Sequence, residues 1–127
     1  MKQTDLSKMP IEYLVARFAE IGVAQDQALL GGQVAKFNGL FNQMVELSNE
    51  LKNRDGDQRR VLASLYQHPN MQVRLKAAIH TREVLPVEAR RQIEAIAESH
   101  WMPQAGDAGM ALAIMDGDLK LTGIKPE

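Results

Sequence analysis

Three histidines and no cysteine bound the chemistry this chain can do. His68, His80 and His100 include no pair spaced by three or four residues, so no helix presents two imidazoles to one metal ion. His80 falls on an apolar stripe, where a core imidazole with a satisfied hydrogen bond is the expected reading; His68 lies in a turn and His100 precedes Trp101 in a loop. Without cysteine, thiolate metal sites, disulfides and cysteine nucleophiles are excluded together. Ser7, Ser48, Ser64 and Ser99 have no histidine and acid in local arrangement. Asp55-Gly56-Asp57 and Asp116-Gly117-Asp118 begin as calcium loops begin, but neither continues with the full set of oxygen ligands, which leaves turn formation. Gly31-Gly32 and Gln104–Gly109 carry glycines, yet neither follows a strand pattern or contains the Gly-Lys-Ser/Thr of a phosphate-cradling loop. The expectation is a protein that is not an enzyme and uses no cofactor or metal.

Charge is the other chemical feature. Between Lys52 and Arg91 stand nine basic residues (52, 54, 59, 60, 74, 76, 82, 90, 91) against four acids (55, 57, 83, 88), although the whole chain carries a net charge of −1. Such a segment could follow a phosphate backbone. Against nucleic acid stand the near-neutral total and the lack of aromatic residues interleaved with the cations. Arg59 and Arg60 are expected to point away from the core.

The elements that must position these residues are helical. Hydrophobic residues make up 45 % of the chain and aromatic ones 5 %, a palette of Leu, Ala, Val, Ile and Met that suits helix packing in one domain. Pro10 opens a stripe of Ile11, Leu14, Val15, Phe18, Ile21, Gly22, Ala28 and Leu29. Gly31-Gly32 interrupts it as a kink or short break, a hinge being the alternative, and Val34, Phe37, Leu40, Phe41, Met44, Leu47 and Leu51 continue it as a second stripe. Gly56 suits a left-handed turn, and Asp57 caps a short helix buried through Val61, Leu62 and Leu65.

Pro69 then stops the chain, and Asn70 can accept from the N–H groups of Gln72 or Val73, so a helix starts there and is expected to run to Val84 with Val73, Ala77, His80 and Val84 inward. Leu85-Pro86 begins another helix, buried through Ala89, Ile93, Ile96 and Ala97, that leaves Arg90 and Glu94 as a solvated pair. A final helix runs through Ala108, Ala111, Leu112 and Met115. A shift of 34 residues superposes Pro103 on Pro69, Ala111 on Ala77, Ala95 on Val61 and Ile96 on Leu62, which hints at a second copy of one helix pair. Residues 1–9 and 119–127 are expected to be flexible ends of a single domain over 1–127. The first ten residues have no apolar run and no stretch could span a membrane, which predicts a cytoplasmic protein.

The spacing Pro69-Asn70-x-x-Val73-Arg74-x-x-Ala77-Ala78, after Val61, Leu62 and Leu65, resembles the second helix of a HEAT or armadillo-type repeat. Over about Leu14 to Leu112 the chain resembles a bacterial family, domain of unknown function 2019. The likeness rests on Leu14-Val15-x-Arg17-Phe18, Gln25-Asp26-x-Ala28-Leu29, Asn38-x-Leu40-Phe41, the stretch His68 to Ala78, and Gln104 to Met110. It implies an all-α fold of five or six helices arranged as a small right-handed α-α superhelix, and it brings no catalytic residues. The expected function is a non-enzymatic protein–protein interaction module, an immunity or adaptor protein being one version; the alternative is a nucleic-acid binder using residues 52–91. In such a stack the second helix of each pair lines the concave side. Arg74, Lys76, Arg82 and Glu83 are therefore candidate partner-binding residues, with Trp101 and Met102 as an apolar anchor. In HEAT-like repeats an arginine at the position of Arg74 also serves structurally, by bonding a neighbouring turn.

Overall fold

The computed structural model describes residues 5–117, and every regular element among them is helical. Five α-helices, α1 (Ile11–Leu30), α2 (Val34–Asn53), α3 (Met71–Thr81), α4 (Pro86–Glu98) and α5 (Gln104–Met115), are joined by a 3-10 helix over Gln58–Gln67 and preceded by a 3-10 turn at Leu6–Lys8. Consecutive elements pack in pairs: α1 with α2, the long 3-10 helix with α3, and α4 with α5. Helix α3 also packs on α1, α4 and α5. Four of the other helices thus pack on α3, and Val73, Leu75, Ala77 and Ala78 on it are buried.

The Gly31-Gly32 interruption takes the form of a short break: α1 ends at Leu30 and α2 begins at Val34. Gly32 takes φ +66°, the Gln33 N–H donates to Ala28 O at 2.9 Å and the Gly32 N–H to Leu29 O at 3.3 Å. This left-handed cap satisfies carbonyls that the last turn of α1 would otherwise leave open. The chain turns back so that α2 lies along α1, and Arg17 on α1 donates to Gln43 on α2 at 3.1 Å. Only the second half of the predicted α2 stripe enters the core. Met44, Leu47 and Leu51 are buried and Leu40 packs against them, whereas Val34 is 70 % and Phe41 43 % exposed.

After Gly56 (φ +77°), the Asp57 carboxylate accepts from the Arg59 N–H as the expected cap. What it caps is a 3-10 helix. Arg59, Leu62 and Leu65 recur every three residues and are all buried, a spacing that three residues per turn places on one face. Asn70 caps α3 as its sequence predicts, with Oδ1 accepting from Gln72 N (2.9 Å) and Val73 N (3.2 Å). The helix ends at Thr81 rather than at Val84. Pro86 pushes Leu85 to φ −134°, the chain closes through Leu85 N to Thr81 O, and Val84 lies in the turn. Pro69 lies one residue before the Asn70 cap of α3 and Pro103 is itself the residue before α5, while Leu62 and Ile96 are buried on the preceding helices, one 3-10 and the other α.

Of the ends expected to be flexible, residues 1–4 and 119–127 lie outside the described residues. Within 5–9, Arg54 holds the chain against the end of α2, donating to Leu6 O (3.0 Å) and Met9 O (2.8 Å) while pairing with Glu50.

Helix α1 crosses closely over α3 at Gly22. A Cβ on Gly22 would lie 2.7 Å from Val73 Cγ2 and 3.2 Å from Val73 Cα. Because the second atom is backbone, the helices would have to move apart. Gly22→Ala is therefore expected to destabilise the protein by about 1–3 kcal/mol, outweighing the gain of about 1 kcal/mol in helix propensity. Urea denaturation of the two proteins measures it, and an unchanged or raised midpoint would show that the crossing is looser than this.

Candidate functional site

Helices α2 and α3 do not close against each other along their outer edges, and the gap is a groove of about 340 Å³. Phe41, Val45, Ser48, Asn49 and Lys52 line it from α2. Lys76, Ile79 and His80 line it from α3, Arg82 and Glu83 from the turn after α3, and Arg59 from the 3-10 helix. Apolar surface from Phe41, Val45 and Ile79 is interleaved with the charged side chains on both walls.

Arg59 explains part of that charge. Expected to point outward, it is buried: its guanidinium bonds the Asp57 carboxylate at 2.7 and 2.9 Å and Glu83 at 2.7 Å. The correction has a physical reason, since two carboxylates meet the guanidinium where the 3-10 helix abuts the end of α3. Asp57 and Glu83 are both held below the usual carboxylate range by the hydrogen bond from Arg59. Arg59 thus answers both Asp57 and Glu83, the three together carrying one net negative charge, and Lys52, Lys76 and Arg82 have no ion pair among the described residues. Lys76 stands over the Phe41 ring, 5.7 Å from its centroid, and burial lowers its pKa.

His80 forms the inner wall. Its Nδ1 is 2.9 Å from Ser48 Oγ, and its ring meets Phe18 edge-on at 5.4 Å between centroids. Burial first, then the positive charges of Lys76, Arg82 and Arg59, push its pKa down to about 4. It is a neutral, hydrogen-bonded histidine at the edge of the core, as its place on the apolar stripe predicts. Among the described residues no three His, Asp or Glu side chains gather as a metal site would require.

The structure brings three of the six candidate partner-binding residues, Lys76, Arg82 and Glu83, into the groove. Arg74 is two residues from Lys76, so the helical turn sends it to the opposite side of α3, where its Nε donates to the His68 carbonyl. That is the structural use noted for it. Trp101 and Met102 are exposed on the α4–α5 connection, away from the groove lining. The basic segment is not a continuous stripe either. Arg90 pairs with Glu94 at 2.9 Å, and it also makes two bonds to Asp116 (2.8 and 2.9 Å) that join α4 to the end of α5.

The sequence reading missed a chain of buried amides. Gln72 donates to Gln25 Oε1 at 3.0 Å. Gln104 donates to Gln72 Oε1 at 2.8 Å and to Asp26 Oδ1 at 3.1 Å, and Asn70 donates to Asp26 Oδ2 at 3.3 Å. This ladder fixes the register of α1, α3 and α5. Gln25 and Gln104, singled out only as parts of the resemblance, are fully buried.

With this geometry in view, the model of the family described as domain of unknown function (DUF2019) matches residues 12–116. The chain belongs to that family. This DUF2019 protein is similar to the protein RPA1889 of Rhodopseudomonas palustris CGA009, whose crystal structure aligns over 98 % of this chain and 100 % of that one. The two share 54 % sequence identity and a TM-score of 0.88. No curated protein matches the chain. Among the described residues no helix is long and apolar enough to cross a membrane.

Proposed function

We propose that this DUF2019 protein is a non-enzymatic protein-interaction module of the cytoplasm, built as a HEAT-like right-handed superhelix and acting on one partner as an adaptor or immunity protein does. The observation that supports the reading is the α2–α3 groove. It is an open, half-apolar cleft where cations without an ion pair stand beside exposed aromatic surface, and it holds three residues that the repeat pattern marks as partner-facing. Grooves between stacked helix pairs are where such folds engage other proteins. The three successive packed pairs support the superhelical reading.

Chemical crosslinking of the tagged protein in its own cells, followed by purification, tests the proposal. The expected result is one discrete protein recovered in near-stoichiometric amount. Recovery of nucleic acid instead, with a gel shift of mixed DNA or RNA that salt abolishes, would favour the alternative and overturn this reading.

A further inference from the structure

Resting on the reading of the chain as an interaction module, we propose that the α2–α3 groove takes an acidic, apolar-flanked segment of a partner protein. Its carboxylates would meet Lys52, Lys76 and Arg82, and an apolar side chain would lie on Phe41, Val45 and Ile79. Charge complementarity carries the argument. Four cations line the groove against one acid, Glu83, whose carboxylate is bonded by Arg59 at 2.7 Å; with Asp57, which shares Arg59, the group keeps an excess of two positive charges, and none of Lys52, Lys76 and Arg82 has an ion pair among the described residues. Lys76 is the sharpest of them. It is half-buried against the Phe41 ring and has lost part of its hydration, so a carboxylate arriving there meets an ammonium whose desolvation the fold has already brought about. Asn49, exposed on α2, offers a polar contact for a peptide backbone beside the cations.

The same geometry disfavours a nucleic acid. Binding along a phosphate backbone needs cations spread at successive phosphates, and base contacts need stacking platforms. Here Arg59 and Arg90 are held by the protein's own carboxylates, Arg74 lies on the other side of α3, and Lys52, Lys76 and Arg82 are clustered at one cleft with apolar surface between them. A segment with closely spaced carboxylates and an apolar residue fits that cleft better than a regular polyanion does.

The test uses the full chain and three probes: a short fluorescein-labelled peptide of Glu, Asp, Leu and Phe, the same peptide with Gln and Asn for its acids, and a labelled oligothymidylate. The acidic peptide is expected to bind, to weaken as salt rises, and to shift backbone amide resonances within 41–52 and 76–83. Its amide counterpart is expected to bind about tenfold or more weakly. The Lys52→Gln, Lys76→Gln, Arg82→Gln triple variant should lose the acidic peptide by a similar factor with an unchanged circular dichroism spectrum. The comparison of peptides on the unaltered protein decides the matter even if the variant misfolds. Equal binding of both peptides, resonance shifts elsewhere, or tighter binding of the oligothymidylate would overturn the proposal. Should a protein be captured in cells while the groove ignores the acidic peptide, the interaction-module reading survives and the acidic-segment inference fails.

Discussion

Ala77→Asp is expected to destabilise the protein by about 3–5 kcal/mol, enough to unfold much of it at moderate temperature. Ala77 is 0 % exposed and belongs to the central cluster with Phe18, Leu62, Val73 and Ile93. It lies on α3, the helix packed against α1, α4, α5 and the 3-10 helix, so no surface lies within reach of a side chain as short as aspartate. A carboxylate there either stays ionised without water or takes up a proton, and both routes lower stability at neutral pH. The midpoint of urea denaturation reads the effect. Ser64→Asp, on an exposed position of the neighbouring 3-10 helix, should change stability by less than about 0.5 kcal/mol. If Ala77→Asp unfolds at the same midpoint as the unaltered protein, the α3 face is not the packed centre described here.

The second large effect is a loss of stability in acid traceable to one side chain. His80 has its pKa lowered from 6.5 to about 4, by burial first and then by Lys76, Arg82 and Arg59. The folded protein therefore refuses a proton that the unfolded chain accepts once the pH drops below 6.5. By linkage the contribution of a neutral His80 is complete above that pH, shrinks as pH falls, and is lost near pH 4. The difference between the two pKa values corresponds to about 3 kcal/mol. Asp57 and Glu83, held low by Arg59, weaken the fold in the same direction at still lower pH, so the single residue has to be isolated by comparison. His80→Asn keeps a polar atom facing Ser48 but cannot titrate. Stability measured by urea denaturation at intervals from neutral pH to pH 4 should fall about 3 kcal/mol less in the variant than in the unaltered protein. Parallel curves for the two proteins would show that His80 protonates at no cost to the fold.

The two predictions draw on different kinds of knowledge. That Ala77 is buried follows from local pattern: the proline stop, the Asn70 cap and apolar residues at helical spacing involve residues a few positions apart, whose preferences act wherever the segment sits. The left-handed turn at Gly56 and the expected role of Pro86 are legible for the same reason. His80 was legible as a core histidine, but its depressed pKa was not, because Lys76, Arg82 and Arg59 meet it only after three elements have converged.

Polar burial is what the sequence could not supply. An apolar side chain gains from leaving water against almost any apolar neighbour, so its periodicity marks a buried face without naming what covers it. A polar side chain is buried at acceptable cost only where a particular partner waits, and that partner is often distant in sequence. Gln104 finds Asp26 across 78 positions, Gln72 finds Gln25 across 47, and Arg59 finds Glu83 across 24. No local pattern distinguishes these residues from solvent-exposed ones such as Arg60 and Gln67. The candidate groove has the same origin: its cations were visible as a basic segment, but which of them are neutralised, and which stand open beside Phe41, was decided only when α2, α3 and the 3-10 helix came together.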